Sequence, residues 1–356
     1  MKKGKMQVIA VILCVVMMSV VMAGCNNQPA APVTPPPSGN GDTPTTPIAP
    51  PADALLFKIA MTLNDSSPFY VGAVEFDKRV REKTDGAVGF EIYPSAVLGT
   101  DRDQIEGLTM GSVDMAIGGL SNTNSFVPET QVFSLPFLFA DRAHVAKVLT
   151  GPVGDEIAAK FDSHGIEFMA YWENGFRLLS TSKYPVQSVS DLKGLKIRVM
   201  ESPLHISIWS NLGTDPTPIT WAELFTALQQ GTVDGQENPL TLFTSAKFYE
   251  VQKNITMTNH VYEPAAVMFS QMTLKKATDE QQKIIIDTAK EVTEYEVAYC
   301  ESMFATDKKT CEDNGVVFEE NPDIESFRTA VAPVYDEFIA KYDWAAGYIE
   351  QIRNAQ

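Results

Sequence analysis

The side chains best placed for chemistry point to recognition of an anion. Arg198 ends the short run Leu195-Lys196-Ile197-Arg198 on a predicted strand, where open α/β sheets put their binding crevice. A guanidinium is a planar fork that meets a carboxylate through two parallel hydrogen bonds, which an ammonium cannot do. In so acidic a chain Arg198 can equally be a surface partner for a neighbouring acid. Arg177 follows the turn signal Asn174-Gly175 and has the same chemistry, or is a solvated loop charge. Asn238 precedes Pro239; its amide donates and accepts, which suits a hydroxy acid, or makes an Asx turn before the proline. Trp221, Leu224, Phe225 and Leu228 share one helical face, and Thr220 with Glu223 has the spacing of a capping box that puts Trp221 in the first turn. Its ring is then either core or a plate at the edge of a ligand site.

Covalent chemistry has no such pattern. The histidines at 144, 164, 205 and 260 are scattered, with no H-x-x-x-H pair, Ser-His-Asp elbow, phosphate-binding glycine loop or zinc spacing. No metal, cofactor or enzymatic activity is expected.

The flanking sequence describes the scaffold these side chains need. Leu55 to Met61 reads as a strand, followed by a polar loop from Thr62 to Ser67 and a helix from about Phe69 to Thr84, ended by Asp85-Gly86. Val88 to Tyr93 reads as a second strand. Strand, helix, strand predicts a sheet with parallel strands and helices on its faces. Further strands are expected at 113–117, 166–172 and 196–199. Leu108-Thr-Met-Gly-Ser-Val-Asp114 and Leu228-Gln-Gln-Gly-Thr-Val-Asp234 each end a helix on glycine, suited to a left-handed residue, and re-enter a strand through Val-Asp. Leu-Gly-Thr-Asp stands upstream of each, at 98–101 and 212–215. The unequal spacing leaves duplication open, but the pattern fits two similar lobes with ligand between them. Thr278 to about Asn314 reads as one long helix, then a strand at 315–319 and helices from Ile324 to Ile352. At 1.5 Å per residue, Cys300 and Cys311 on that helix have Cα atoms roughly 16 Å apart, beyond the ~7 Å a disulfide spans, so they should stay unbridged.

The first residues address the compartment. Lys2, Lys3 and Lys5 precede an apolar run from Met6 to Met22, which ends in Met22-Ala-Gly-Cys25. That is the form of a bacterial lipoprotein signal, with Met22 where leucine is usual; an ordinary secretory signal or an uncleaved anchor is the alternative. Residues 1–24 would be the signal peptide and Cys25 the lipid anchor. Residues 25–53, rich in Pro, Thr, Gly and Ser, would be a disordered tether. Nothing after it approaches the ~18 continuous apolar residues of a membrane span. Loss of the three signal lysines takes the formal charge from −17 to −20. Such a body argues against nucleic acid and against anionic lipid as partners, so it touches membrane only through the lipid on Cys25. To bind an anion it must concentrate positive charge locally.

Gly194-Leu-Lys-Ile-Arg-Val199, Pro218-Ile-Thr-Trp-Ala-Glu223, Val233-Asp-Gly-Gln-Glu-Asn-Pro239 and Tyr171-Trp-Glu-Asn-Gly-Phe-Arg177 resemble the DctP-type solute receptors of TRAP transporters. Lys247-Phe-Tyr-Glu-Val-Gln-Lys253 and Thr258-Asn-His260 continue the likeness, which covers about residues 55–345. The resemblance implies an α/β, type-II periplasmic-binding-protein fold, two lobes with a cleft and a long helix spanning both. Lobe I would hold 54–174 plus about 264–303, and lobe II 175–263 plus about 304–356. It implies a receptor outside the cytoplasm (in the periplasmic space if the cell has an outer membrane). Such a receptor captures a carboxylate-bearing organic acid, whether sugar acid, C4-dicarboxylate or related. It delivers the acid to small and large TRAP integral-membrane subunits, which use an ion gradient. In that family the arginine matching Arg198 pairs with the ligand carboxylate, and that matching Arg177 reaches the ligand or its water shell. Asn238 would contact the same carboxylate or an adjacent hydroxyl, Trp221 would stack, and Thr62 and Asn64 would line the opposite wall. Sialic acid binders carry a glutamate near Gly119, which this chain lacks. The alternative is the same fold feeding an ATP-driven transporter or a sensor kinase. Cys25→Ser should leave uncleaved precursor or release the protein from membranes; cell fractionation and the mass of the mature N-terminus check this.

Overall fold

The opening strands pair in parallel, Leu55–Ala60 (β1) beside Val88–Tyr93 (β2), joined by the helix Pro68–Lys83. A computed structural model describes residues 54–355; the signal, Cys25 and the tether lie outside the described residues. Ser67 caps the first helix by accepting from the Tyr70 N–H, and Pro68 sits where no helical donor is needed. Phe69, Ala73, Phe76 and Val80 form its buried stripe. Asp85 and Gly86, both at positive φ, turn the chain out towards β2.

Met115–Gly119 (β3), Ile166–Phe176 (β4) and Tyr262–Ser270 (β10) complete a five-stranded sheet in the order β2-β1-β3-β10-β4. The second sheet takes Leu178–Thr181 (β5), Lys196–Val199 (β6), Asp215–Pro218 (β7), Gly235–Asn238 (β8), Asn254–Thr256 (β9) and Val317–Glu319 (β11). Its order is β11-β9-β5-β8-β6-β7. The chain passes between the sheets twice, from β4 to β5 through Arg177 alone and from β9 to β10. The crossings are bonded to each other, the Arg177 N–H donating to Val261 O at 2.8 Å.

The third link is the helix Asp279–Asp313, within a residue of its expected bounds at each end, with a capping box made by Thr278 and Gln281. Ile285, Ala289 and Val292 pack into the core of the first sheet. Cys311 packs with Leu224 and Phe243 under the second. Cys300 and Cys311 are both buried free thiols. The largest core runs beneath both sheets, joining Val132 and Phe133 to Ile197, Ile208, Trp209 and the helix Ile324–Lys341.

The repeated Val-Asp stretches have one structural job. Asp114 Oδ2 accepts the Lys58 N–H of β1 at 2.9 Å, and Asp234 Oδ2 accepts the Lys196 N–H of β6 at 2.9 Å. Gly111 and Gly231 adopt the left-handed conformation expected of them, at φ 72° and 68°. The Leu-Gly-Thr-Asp tetrads do not correspond: Thr100 caps a helix, whereas 212–215 leads out of a helix into β7. The last helix, Ala345–Asn354, returns to residues expected in lobe I, with Ile352 O 2.7 Å from His144 Nε2 and Tyr348 OH donating to Glu156 at 2.5 Å. Its apolar face, Tyr348, Ile349 and Ile352, belongs to the shared core.

Glu296, midway along the long helix, is buried beneath the first crossing. Its Oε2 accepts the Glu173 N–H at 2.8 Å and its Oε1 the Cys300 thiol at 3.4 Å. Burial raises its pKa from 4.5 to about 8. Because the folded value is raised, its contribution to stability is complete below about pH 4.5 and lost as pH climbs through about 8. Glu296→Gln keeps an acceptor for Glu173 without a charge. Thermal melts between about pH 5 and 9 should show it matching the parent at the acid end and melting higher at the alkaline end.

Candidate functional site

Arg198 lies on β6 with 3% of its surface exposed. Its Nε donates to Ile219 O at 2.8 Å. Among the described residues no carboxylate comes within ion-pair distance, so both terminal nitrogens lack a protein acceptor. Burial lowers its pKa to about 10, the charge of Arg177 adding to this and Glu237, Asp101 and Glu201 opposing it. It remains a guanidinium at neutral pH.

Arg177, in contrast, is committed to the protein. Its Nε donates to Glu237 Oε2, and its Nη2 to Glu237 Oε1 at 2.9 Å, Glu237 O at 2.5 Å and Asn238 Oδ1 at 3.1 Å. Only Nη1 has no protein acceptor. Both members of the pair are buried. Burial alone would raise the Glu237 carboxyl, but Arg177, helped by His205 and His260, holds it well below the ordinary carboxylate range. His260 Nε2 lies 3.3 Å from Oε2 and His205 Nδ1 3.5 Å from Oε1. Asn238 gives its Nδ2 to Gln236 Oε1, so its amide is held at both ends.

Thr62, Arg177, Arg198, Trp221 and Asn238 line one cavity of ≈ 40 Å³ at the junction of the sheets. Asn64 is not on this wall; its Nδ2 donates to Ser245 O at 2.9 Å, and its Oδ1 accepts the Ser66 N–H at 3.1 Å. Trp221 does both things considered for it, lining the cavity and packing on Phe248 with ring centroids 5.4 Å apart. The expected capping box at its helix does not form. Thr220 instead donates its hydroxyl to Glu223 Oε2 at 2.8 Å. A larger space of ≈ 240 Å³ behind the crossing also has an arginine, Arg142, but Glu173 and Glu301 already pair with it.

Two polar groups on the wall escaped the sequence reading. Asp101 opens the helix Asp101–Met110 and accepts from Thr62 Oγ1 at 3.1 Å. Burial pushes its pKa up to about 6, against the pull of Thr62 and Arg198. Asn174 is the other. Asn174-Gly175 is not a turn but a bulge inside β4: Glu173 pairs with Pro264 and Gly175 with Glu263, leaving Asn174 as the extra residue. Proline at 264 brings no N–H to that ladder, and Gly175 takes φ 119°, so the local sequence does hold the signal.

The buried ion pair sets the clearest stability expectation. Glu237→Ala leaves the Arg177 charge buried without its partner and should cost about 3–5 kcal/mol. Urea unfolding of the variant and parent measures it.

A family model, the bacterial extracellular solute-binding protein family 7, matches residues 59–342. A solute-binding protein of Verminephrobacter eiseniae is 40% identical over 281 residues, 79% of this chain and 83% of its own length. The 2,3-diketo-L-gulonate-binding periplasmic protein of Escherichia coli is 36% identical, over 69% of this chain and 74% of its own. A TRAP periplasmic solute-binding protein of Polaromonas, solved bound to D-erythronate, superposes with TM-score 0.81 at 36% identity, covering 84% of this chain and 98% of that one. With two sheets, paired crossings and a cavity at their junction, the chain belongs to family 7 of the bacterial extracellular solute-binding proteins, the DctP family of TRAP transporter receptors.

Proposed function

We propose that this receptor captures an organic acid by its carboxylate and passes it to small and large TRAP membrane subunits, while the lipid on Cys25 holds it to the membrane. The observation that carries the reading is Arg198, a buried guanidinium with one nitrogen anchored to Ile219 O and two left for a ligand. Arg177 contributes Nη1 and field, its charge being balanced by Glu237. Thr62, Asn238 and Asp101 offer polar contacts, and Trp221 a face for carbon. This set holds and orients a solute, and the family it belongs to is one of solute receptors, so the reading is receptor and not enzyme. Relatives whose names or bound ligands are sugar acids support the same class. The lobes are proposed as the two sheets with their packed helices, the last helix going with the first lobe.

Truncating one partner of a desolvated charge pair costs about 2–5 kcal/mol, much of it because the other charge stays buried and unpaired. Arg198→Ala should therefore weaken binding of an organic acid by roughly 30-fold to several thousand-fold. Arg198→Lys keeps charge without the fork and should recover part of the loss. Calorimetric titration of the purified chain is the measurement; a loss under about threefold would place the carboxylate clamp elsewhere.

A further inference from the structure

The cavity also presents acceptors. The Asp101 carboxylate is buried there, tied by one oxygen to the Thr62 hydroxyl. Asn174, 4% exposed, has its Oδ1 buried with no hydrogen-bond partner. A buried acceptor without a donor is destabilising and is normally satisfied in the working state of a protein. Gly119 lines the same cavity next to the Asn174 amide, a Cβ there standing in ordinary van der Waals contact with Asn174 Nδ2 at 3.4 Å. Arg198, with Arg177 behind it, is the cationic pole, and Asp101 with Asn174 Oδ1 is the electron-rich one.

From this polarity we infer that the cavity selects acids bearing hydroxyl groups along their chain and rejects dicarboxylates of the same length, with Asp101 and Asn174 as the selecting residues. The inference rests on the reading that Arg198 holds a ligand carboxylate. With that end fixed, the rest of the ligand must meet Asp101 and Asn174. Hydroxyl groups donate to both oxygens, each O–H replacing a bond to water. A second carboxylate has no proton to give, and it brings negative charge against Asp101 where little water screens it. A plain alkyl acid brings no donor to the free Asp101 oxygen or to Asn174 Oδ1. A site built to bond a hydroxyl discriminates strongly against analogues that lack it, for the same reason.

The test is calorimetric titration of the purified full chain with matched pairs: D-erythronate against succinate at four carbons, and D-gluconate against adipate at six. At least one hydroxy acid should bind, and its dicarboxylate match should bind at least about 100-fold more weakly. In Asp101→Asn the preference should shrink by roughly 10-fold or more, because the hydroxy acid loses a charged acceptor and the diacid its repulsion. Dicarboxylates binding as tightly as hydroxy acids, or no binding by either hydroxy acid, overturns the inference. Arg198→Ala separates the two readings. If dicarboxylates bind and the variant abolishes that binding, the carboxylate clamp stands and only the selectivity fails; if acids bind equally to parent and variant, the clamp itself has failed. The comparison on the parent protein needs no variant to fold.

Discussion

The buried pair of Arg177 and Glu237 is the constraint around which the junction is arranged. Arg177 occupies the one position between β4 and β5, where the chain leaves the first sheet for the second. A guanidinium there has no bulk water, so it needs an anion in fixed geometry, and Glu237 supplies two oxygens and a carbonyl. Because Glu237 lies on β8, beside β5, the pair also sets the register in which Asn238 reaches the cavity. His205 and His260 close round the carboxylate from the far side. The junction therefore holds a neutralised pair, while the charge of Arg198 has no ion-pair partner among the described residues.

That distribution answers the problem posed by composition. A strongly acidic surface repels anions at long range, so a receptor for acids must hold its attraction in a low-dielectric pocket where screening is weak. Burial, which lowers the pKa of Arg198 to about 10, leaves it charged at neutral pH and removes water competing for its nitrogens. The same burial pushes Asp101 up to about 6, a sign that loss of water outweighs the pull of its hydrogen bonds and of Arg198.

The bulge at Asn174 joins the scaffold to the site. A regular strand would direct alternate residues to opposite faces, and only the extra residue places Asn174 on the cavity wall just before the crossing. The long helix backs this region through Glu296, which binds the N–H of Glu173, one residue before the bulge. Site geometry and inter-sheet geometry thus share a few adjacent residues, which suits a protein of a class that works by closing on its ligand.

Much of the fold was legible because its signals are local. Serine before proline starts the first helix, Asp85-Gly86 ends it, Gly111 and Gly231 mark helix ends, and the apolar rhythm of 278–314 shows the long helix. The family motifs led to Arg198, Arg177, Asn238 and Trp221, and the loop after the first strand to Thr62; the fold gathers these round one cavity. What stayed hidden depends on partners distant in sequence. Nothing near Arg177 says that Glu237, 60 positions on, will take most of its donors, or that Asn64 will bind Ser245, 181 positions on, and not the wall. Asp101 read as half of a repeated tetrad, and only the packing of its helix against the cavity makes it a buried acceptor. Sequence determines the elements and the kinds of side chain available, because backbone preference acts over a few residues. Which charges are free to meet a solute is decided by tertiary structure, because pairing and loss of water are properties of neighbours in space.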